Sequence, residues 1–364
     1  MMMYSMKLIV TGFFTPWIVY AAITGLHVIL PGTWIKGYVK HDKTGGTLSY
    51  RLNGIFVLAV SVLAWAALGF FNVVPFDWLY RVRWPSLAGA VTLGLLFSFI
   101  TVLSQSSTGK PFPADFWFGR LKNPQFKNGR VDAKMWLYLI GAVMLQLNVL
   151  SFAAHHIMTQ EDINPGFIAG AAMLSWFLWE YLYFEKVHLY TYDFIAERVG
   201  FKLGFGCLAF YPYFYAVSLW ATVDLPNPRL SLWASLCFCT LYLFGWALAR
   251  GANMQKYYFK TRGDRKFLGL KPETISDGTH SLLVNGFWGL SRHINYLGEI
   301  LEGCGIALAA GYPAVWWVWL YPLYYIGLLF TRQMDDDKIC KAKYGELWDA
   351  YTKKVKRRII PFIY

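Results

Sequence analysis

Charged residues are scarce in this chain. They make up 15% of its 364 residues, whereas 56% are hydrophobic, and the mean hydropathy is +0.36. So low a charge content excludes an ordinary soluble domain, which needs more polar residues to cover its surface.

Cysteine is scarce as well. The five cysteines form no C-x-x-C pair and have no histidine-rich neighbourhood, so neither a zinc site nor a disulfide framework is indicated.

The hydrophobic residues fall into runs of about 20, the length that crosses a bilayer as a helix. Nine runs can be marked, at 8–30, 53–74, 84–104, 135–154, 165–184, 203–222, 229–250, 281–310 and 312–331. Charges interrupt the run at 281–310, which makes ten spans if it consists of two half-helices. The first run has no small-residue cleavage pattern, so we interpret it as a retained span rather than a signal peptide. The sequence therefore predicts an all-α polytopic membrane protein with nine or ten transmembrane helices.

Acidic residues are outnumbered by basic ones, 21 to 34, which gives a net charge of +13. With nine spans, 29 of the lysines and arginines fall on one side of the membrane and four on the other. Such a bias predicts a cytosolic C-terminus. The basic excess thus needs no nucleic-acid partner, and a phosphate-bearing ligand is its possible second use. We expect a multi-pass protein of the bacterial inner membrane or the endoplasmic reticulum.

Ionisable residues cluster between 281 and 299, in SLLVNGFWGLSRHINYLGE. Each of them is costly in an apolar region unless it faces a partner or a wet cavity, so the cluster predicts a site. Upstream, Lys256 and Lys260 are four residues apart and share one helical face, which suits a phosphate or, equally, anionic lipid headgroups. Downstream, Tyr344 and Tyr351 are seven apart and would lie on one helical stripe, so that the tail folds back as a lid over a cytosolic pocket.

Three acids mark a second candidate site, around the end of the run at 165–184. Glu180 lies inside the run, and a carboxyl buried at that depth is protonated or paired, so it can act as a general acid. Glu185 follows five residues later, and the alternative for it is a pair with Lys186 or Lys202. Asp193 is the third acid.

Two further segments are best explained by a structural role. The glycines of GFKLGFG, 200–206, follow no strand, so close helix packing is a better explanation than dinucleotide binding. The segment 115–126, DFWFGRLKNPQF, is too polar to span; on composition alone it is an interfacial aromatic belt with snorkelling cations.

Four segments together resemble the sterol reductases, the family that includes sterol C14-reductase, the sterol-reductase portion of lamin B receptor and 7-dehydrocholesterol reductase. DFWFGRLKNP resembles D-F-x-x-G-R-x-x-N-P, GANMQKYYFK resembles N-x-Q-K-x-x-F-R, and LLVNGFWGLSRHINYLGE resembles L-L-x-S-G-W-W-G-x-x-R-H-x-N-Y-L-G-D. CKAKYGELWDAYTKKVKRRIIPFIY resembles the family's C-x-x-K-Y-G-x-x-W-x-x-Y ending. The resemblance runs from about residue 112 onward.

The resemblance implies an NADPH pocket, open to the cytosol, in the C-terminal half. Its residues, carried over by motif, are Lys256, Lys260, Leu283, Trp288, Arg292, His293, Asn295, Tyr296, Glu299, Arg332, Asp336, Tyr344 and Tyr351. Glu180, Glu185 and Asp193 are the expected catalytic residues, and no metal is expected. The chain departs from the family pattern at Phe177 for Tyr, Glu180 for Asp, Phe184 for Asn, Cys207 for Asp, Lys260 for Arg, Glu299 for Asp and Asp335 for Arg.

The resemblance also implies a division into N-terminal transmembrane helices, 1–110, and a catalytic region, 111–364. An unconjugated double bond resists hydride until it is protonated, so we expect an acid, Glu180 by preference, to act before hydride transfer. The sterol would enter from the bilayer and NADPH from the cytosol. The alternatives are an S-adenosylmethionine-dependent methyltransferase of the isoprenylcysteine type, and a non-catalytic sterol-binding scaffold.

Overall fold

The protein is described by a computed structural model that covers residues 5–40 and 45–364. Most of the described residues are helical, as the sequence predicts, but six short strands form three antiparallel two-stranded ribbons. The chain divides into two compact units, one up to Asn227 and one from Pro228 onward.

The first unit is built around one long buried helix. Its elements are α1 (Met6–Ile29), β1 (Thr33–Lys40), β2 (Thr47–Leu52), α2 (Gly54–Phe70), α3 (Trp78–Arg81), α4 (Arg83–Leu103), α5 (Phe112–Phe118), β3 (Gln125–Phe126), β4 (Val131–Asp132), α6 (Ala133–Thr159), α7 (Pro165–Tyr183), α8 (Glu185–His188), α9 (Tyr192–Ile195), α10 (Phe201–Phe205), a π-helical turn (Gly206–Phe210), α11 (Tyr211–Phe214) and α12 (Val217–Thr222). Asp132 caps α6 by accepting from the amides of Lys134 and Met135 at 3.0 and 3.1 Å. Helix α6 then packs against α1, α2, α7 and α11 and forms the core of this unit.

The second unit contains the cluster at 281–299. Its elements are α13 (Leu232–Arg262), β5 (Thr274–Ser276), β6 (Ser281–Leu283), α14 (Phe287–Leu290), α15 (Ile294–Ala309), a 3₁₀ turn (Trp316–Trp319), α16 (Leu320–Tyr344) and α17 (Glu346–Lys354). Helices α13 and α15 approach so closely that a Cβ on Gly298 would lie 2.5 Å from the Gly245 oxygen. Glycine at both positions therefore permits this packing.

Within residues 5–40 and 45–364, five helical segments are long and apolar enough to cross a membrane: Met6–Ile29, Arg83–Leu103, Ala133–Thr159, Phe201–Thr222 and Leu232–Arg262. The other predicted spans fall on shorter or more polar helices, such as the 17-residue α2 and the 16-residue α15. The prediction for 281–310 needs a correction. Residues 281–293 form a strand and a single helical turn, and the long helix begins only at Ile294, because the polar residues before it bond to other segments.

Candidate functional site

Trp288 and Lys256 form the first part of the candidate cofactor site. The Trp288 indole donates to the Ala252 carbonyl at 2.8 Å, which fixes the ring on α13. The Lys256 ammonium lies 5.4 Å from the centre of that ring, within cation–π range. A cation beside a flat aromatic surface can receive both a phosphate and a planar ring of a ligand.

Gln255 holds the segment that carries Trp288. Its amide donates to the Asn285 carbonyl at 3.2 Å, and its oxygen accepts from the Phe287 amide at 3.0 Å. Only 4% of Gln255 is exposed. Sequence reasoning did not single out this residue, although it stands inside the quoted GANMQKYYFK segment. The signal was therefore present, but its structural role depends on a segment 30 residues away.

Asn295 is the expected cofactor residue whose side chain has a buried oxygen available to a ligand. It is the second residue of α15 and is 8% exposed, and its amide nitrogen is 3.5 Å from the Asn253 oxygen. Within the part of the chain that the structure describes, the buried Asn295 oxygen has no hydrogen-bond partner. Leaving such an oxygen unsatisfied costs about 1–3 kcal/mol. A ligand with an N–H group would satisfy it.

Arg292 makes contacts of a different kind. Its guanidinium donates to the carbonyls of Val355 and Lys356 at 3.1 and 3.2 Å and lies 3.3 Å from the Asp337 carboxylate. Only 6% of Arg292 is exposed. These bonds tie the start of α15 to α16 and to the residues that follow α17. They give Arg292 a structural role, and its predicted contact with a cofactor is untested.

His293 lies between an aromatic ring and two acids. Its ring stacks on Tyr296 with centroids 4.9 Å apart, and its two ring nitrogens are 3.9 Å from Asp336 and 4.0 Å from Asp337. Burial opposes ionisation of Asp337, but the interactions with His293 and Arg292 outweigh it and hold the pKa of Asp337 below its ordinary value. Asp337 is therefore a carboxylate at neutral pH.

An aromatic wall forms where α16 meets α17. Tyr344, Trp348 and Tyr351 stack in series, with centroids 6.4 and 4.9 Å apart, and pack with Val284. The expectation that Tyr344 and Tyr351 share one helical stripe is wrong. Gly345 has φ +54°, a left-handed conformation that ends α16 after Tyr344. The two tyrosines therefore sit on different helices.

Cys340 links this wall to the residues on α13. Burial raises the pKa of the Cys340 thiol to about 12, the neighbouring Asp336 adds to the rise, and the charge of Lys256 opposes it. Lys256 on α13 and Asp336 on α16 therefore both lie near Cys340. Burial also raises the pKa of Tyr351, whose charged neighbours include Arg292 and Asp336. Lys256, Asp336 and Tyr351, three of the expected cofactor residues, thus all lie within electrostatic range of Cys340.

Leu283, Lys260, Glu299 and Arg332 are the other expected residues. Leu283 is 7% exposed, at the end of β6. Lys260 is exposed near the end of α13, with its amine 5.5 Å from the Phe259 ring. Glu299 on α15 and Arg332 on α16 are half-buried. Lys256 and Lys260 lie on one helix, as predicted, and Lys256 is placed against Trp288.

An open cleft of about 620 Å³ lies beside the Arg292–Asp337 pair. Its other lining residues include Lys341, Trp348 and Arg358. Of the expected cofactor residues Arg292 lines this cleft, whereas Trp288 and Asn295 do not.

The acids of the first unit differ in burial from the sequence expectation. Glu180 on α7 is half-buried, whereas Glu185 is 6% exposed and accepts from the Gly54 amide at 3.0 Å. Burial raises the pKa of Glu185 to about 8, and the hydrogen bond from Gly54 opposes the rise only in part. By exposure, Glu185 is therefore the more buried of the two acids. Lys202, one alternative partner of Glu185, pairs with Glu197.

Lys134 was missed by sequence reasoning. Its side chain is 1% exposed, and its ammonium donates to the carbonyls of Asp193 and Phe194 at 3.2 and 3.1 Å. A buried cation is costly unless such partners satisfy it. Lys134 therefore fixes the backbone around Asp193, the third expected catalytic acid. The signal that could have found it is a lysine at the very start of an apolar run.

The segment 115–126 is a loop held by the hydrogen bonds and the ion pair of Asp115, and its interfacial position stays a prediction. Asp115 is 1% exposed, lies 2.8 Å from the Arg120 guanidinium, and accepts from Ser107 and from the Thr108 amide at 3.1 Å. The hydrogen bonds from Thr108 and the Arg120 guanidinium hold the pKa of Asp115 well below its usual range. The Asp and Arg of DFWFGR thus serve the fold of this loop.

Gly204 has the helix-packing role that the sequence predicts for the glycines of 200–206, whereas a Cβ on Gly206 would meet nothing within 4 Å. A Cβ on Gly204 would lie 2.7 Å from the ring of Phe97 on α4, so a larger residue there would force the two helices apart.

Comparison with known proteins gives a match over nearly the whole chain. The family model described as "Ergosterol biosynthesis ERG4/ERG24 family" matches residues 2–364. The chain is 32% identical over 361 residues to the Delta(14)-sterol reductase of Arabidopsis thaliana, which covers 95% of this chain and 94% of that protein. It is 30% identical over 374 residues to the Delta(14)-sterol reductase of Methylotuvimicrobium alcaliphilum, a match that covers 97% of this chain and 83% of that protein. The Delta(14)-sterol reductase of Mus musculus is 32% identical over 346 residues, with 90% and 80% covered.

Proposed function

The chain belongs to the ERG4/ERG24 family of sterol reductases, and from this premise we propose that it reduces the C14 double bond of a sterol, with NADPH as the reductant. The full-length match to proteins named Delta(14)-sterol reductase carries the proposal. Reduction at C7 is the second possibility, because the family that the sequence resembles includes 7-dehydrocholesterol reductase. The methyltransferase alternative is set aside, because the relatives matched over nearly the whole chain are named sterol reductases.

The second unit offers groups that fit a phosphorylated dinucleotide. Asn295 has a buried oxygen in need of a donor, and Lys256 stands beside the Trp288 ring. Lys256 would hold a phosphate, Trp288 would lie against a planar ring, and Asn295 would accept from an amide such as a carboxamide. When bound, NADPH would supply hydride to an electron-poor carbon of the sterol.

The first unit offers the proton. An isolated double bond becomes electron-poor only when an acid protonates it, so that the π electrons form the new C–H bond and leave a carbocation. Glu185 supports this role by its burial, which favours the protonated form at neutral pH. Glu180 is the other candidate acid. Asp193 is the third expected acid. We propose that Lys134 positions it by donating a hydrogen bond to the Asp193 backbone carbonyl.

Two variants separate the two candidate acids. If Glu185 is the proton donor, Glu185→Gln abolishes turnover of a C14-unsaturated sterol while sterol binding is kept, and Glu180→Gln remains active. If Glu180 is the donor, the two results are reversed. Full activity of both variants would remove the carboxylic acid from the proposal.

We also propose the finer topology. In addition to the five long apolar helices, α2, α7, α15 and α16 would cross the bilayer, with the basic loops and the residues after α16 in the cytosol. The sterol would then enter from the bilayer and NADPH from the cytosol. The membrane would be the bacterial inner membrane or the endoplasmic reticulum. Residues 1–110 would serve as membrane helices and residues 111–364 as the catalytic region.

The decisive experiment is complementation. The full chain is expressed in cells that lack sterol C14-reductase, and their sterols are identified by mass spectrometry. We expect C14-saturated sterols to replace the C14-unsaturated ones, and Asn295→Ala to weaken the effect. Saturation at C7 alone would move the assignment to that bond. An unchanged sterol profile, from a chain that is present in the membrane, would contradict the proposal.

A further inference from the structure

The residues that follow α17, 355–364, form a segment fastened to the second unit; we call it the tail segment. The amides of Arg292 and His293 donate to the carbonyls of Arg357 and Arg358 at 2.9 and 2.8 Å. The Ser291 hydroxyl donates to the Ile359 carbonyl at 2.8 Å. Ile359 is fully buried. The position of the tail segment is therefore set by the same stretch that carries Asn295.

The tail segment returns to the end of the last apolar stretch of α16. Phe330 is the penultimate residue of the apolar run 312–331, and Arg332 is the first residue after that run. The ring of Tyr364 stacks on the Phe330 ring, with centroids 5.3 Å apart, and its hydroxyl donates to the Gln333 oxygen at 3.4 Å. Helix α16 continues to Tyr344, about 20 Å beyond Phe330. The chain thus leaves the apolar stretch on α16 and comes back to it at Tyr364.

Two apolar side chains are held outward at this level. Phe362 is 85% exposed and Ile363 is 75% exposed. Phe362 has φ +67°, a left-handed conformation that bulky residues rarely adopt. The turn is closed by the Tyr364 amide, which donates to the Ile360 carbonyl at 3.0 Å. A strained turn that displays two large apolar side chains indicates that something apolar covers them.

Basic residues flank this apolar pair. The exposed cations at the end of α17 and in the tail segment are Lys353, Lys354, Lys356, Arg357 and Arg358. Arg358 also lies 5.4 Å from the centre of the Tyr364 ring. Large apolar side chains beside a cluster of cations are typical of segments that lie in the membrane interface.

We propose that the tail segment is a membrane-surface anchor. Phe362 and Ile363 enter the boundary between headgroups and acyl chains, and the cations beside them contact the phosphates of anionic lipids. The proposal rests on one part of the proposed topology, namely that α16 crosses the bilayer up to about residue 331. A lipid surface is favoured over a protein partner because the tail segment is stacked on the residue where that apolar stretch ends.

The test measures depth in the membrane. The full chain, with its five cysteines replaced by serine, carries a nitroxide at Ile363→Cys in vesicles of phosphatidylcholine with phosphatidylserine. We expect oxygen to relax the label more strongly than a water-soluble nickel chelate does. A matched label at Glu346→Cys, exposed on α17, should show the reverse. This measurement uses no sterol and no NADPH, so its failure leaves the reductase proposal intact.

Two results would overturn the anchor. A label at 363 that behaves like the label at 346 would place the side chain in water. A label shielded from both reagents would indicate a protein contact, with a second copy or another chain.

A second measurement does not depend on the serine substitutions. A benzophenone amino acid at position 363 of the chain with its native cysteines should crosslink to phospholipid and add its mass, whereas the same group at 346 should not. Lys356→Glu together with Arg357→Glu should lower the share of phosphatidylserine among the crosslinked lipids. Crosslinks to protein alone, or an unchanged lipid share, would count against the proposal.

Discussion

The Arg292 guanidinium lies 3.3 Å from the Asp337 carboxylate, and the same guanidinium donates to the carbonyls of Val355 and Lys356. One buried cation thus joins the start of α15, the middle of α16 and the residues after α17. The stretch that carries Asn295 depends on this junction for its position.

Asp337→Asn should therefore destabilise the protein, because it leaves a buried guanidinium without its counter-charge. We expect the free energy of unfolding to fall by roughly 1–3 kcal/mol. Thermal unfolding of the purified full chain in detergent measures the change. The control is Lys341→Ala, which breaks the exposed pair with Asp349 and should cost less than about 1 kcal/mol. Equal effects of the two variants would contradict the structural role of Arg292.

Glu185 should give the stability a pH dependence of a defined sign. Its pKa in the folded protein is raised to about 8, whereas an unfolded glutamate titrates near pH 4.3. Between these values the folded state binds the proton and the unfolded chain releases it. The free energy of unfolding should therefore fall as pH rises through this window, by up to about 1.4 kcal/mol per pH unit.

Glu185→Gln should remove that part of the pH dependence. Unfolding midpoints measured in detergent from about pH 5 to about pH 8 provide the comparison. Glu346→Gln, at an exposed acid on α17, should keep the slope of the unmodified protein. Identical slopes for all three proteins would show that Glu185 is ionised in the folded state.

Asn295→Ala should weaken NADPH binding, because it removes the buried oxygen that we assign to a ligand amide. The loss of one such hydrogen bond is expected to raise the dissociation constant roughly tenfold or more. Calorimetric titration of the full chain with NADPH measures it without sterol. Asn227→Ala, a change in the first unit, should leave the affinity unchanged. NADPH affinity that is unaffected by Asn295→Ala would remove this residue from the proposed site.

Lys256→Gln should lower the affinity for NADPH by removing the cation beside Trp288. We expect about a tenfold weaker affinity and a smaller dependence of binding on salt, since a phosphate contact is electrostatic. Lys266→Gln, an exposed position after α13, serves as the matched control. An equal loss in the two variants would indicate a general charge effect instead of a phosphate contact.

Much of the candidate site could be predicted from the sequence. The cluster at 281–299 was recognisable because burying polar residues in an apolar region costs free energy. The family motifs identified Lys256, Trp288 and Asn295. The structure places Lys256 against Trp288, and it leaves the Asn295 oxygen buried and without a partner among the described residues. Residue type and local spacing were sufficient to single out these residues, because each belongs to a motif; their role towards NADPH stays a prediction.

The sequence by itself determined that this is a helical membrane protein of the sterol reductase family, since hydrophobic runs and motif residues are properties of short stretches. Only the tertiary structure decided that Arg292 turns to Asp337, that Glu185 is more buried than Glu180, and that Lys134 holds the backbone of Asp193. Arg292 and Asp337 are 45 positions apart in the chain, and Glu185 is 131 positions from Gly54, the residue whose amide it accepts from. No local pattern encodes such a distance, because it is set by how all the helices pack together.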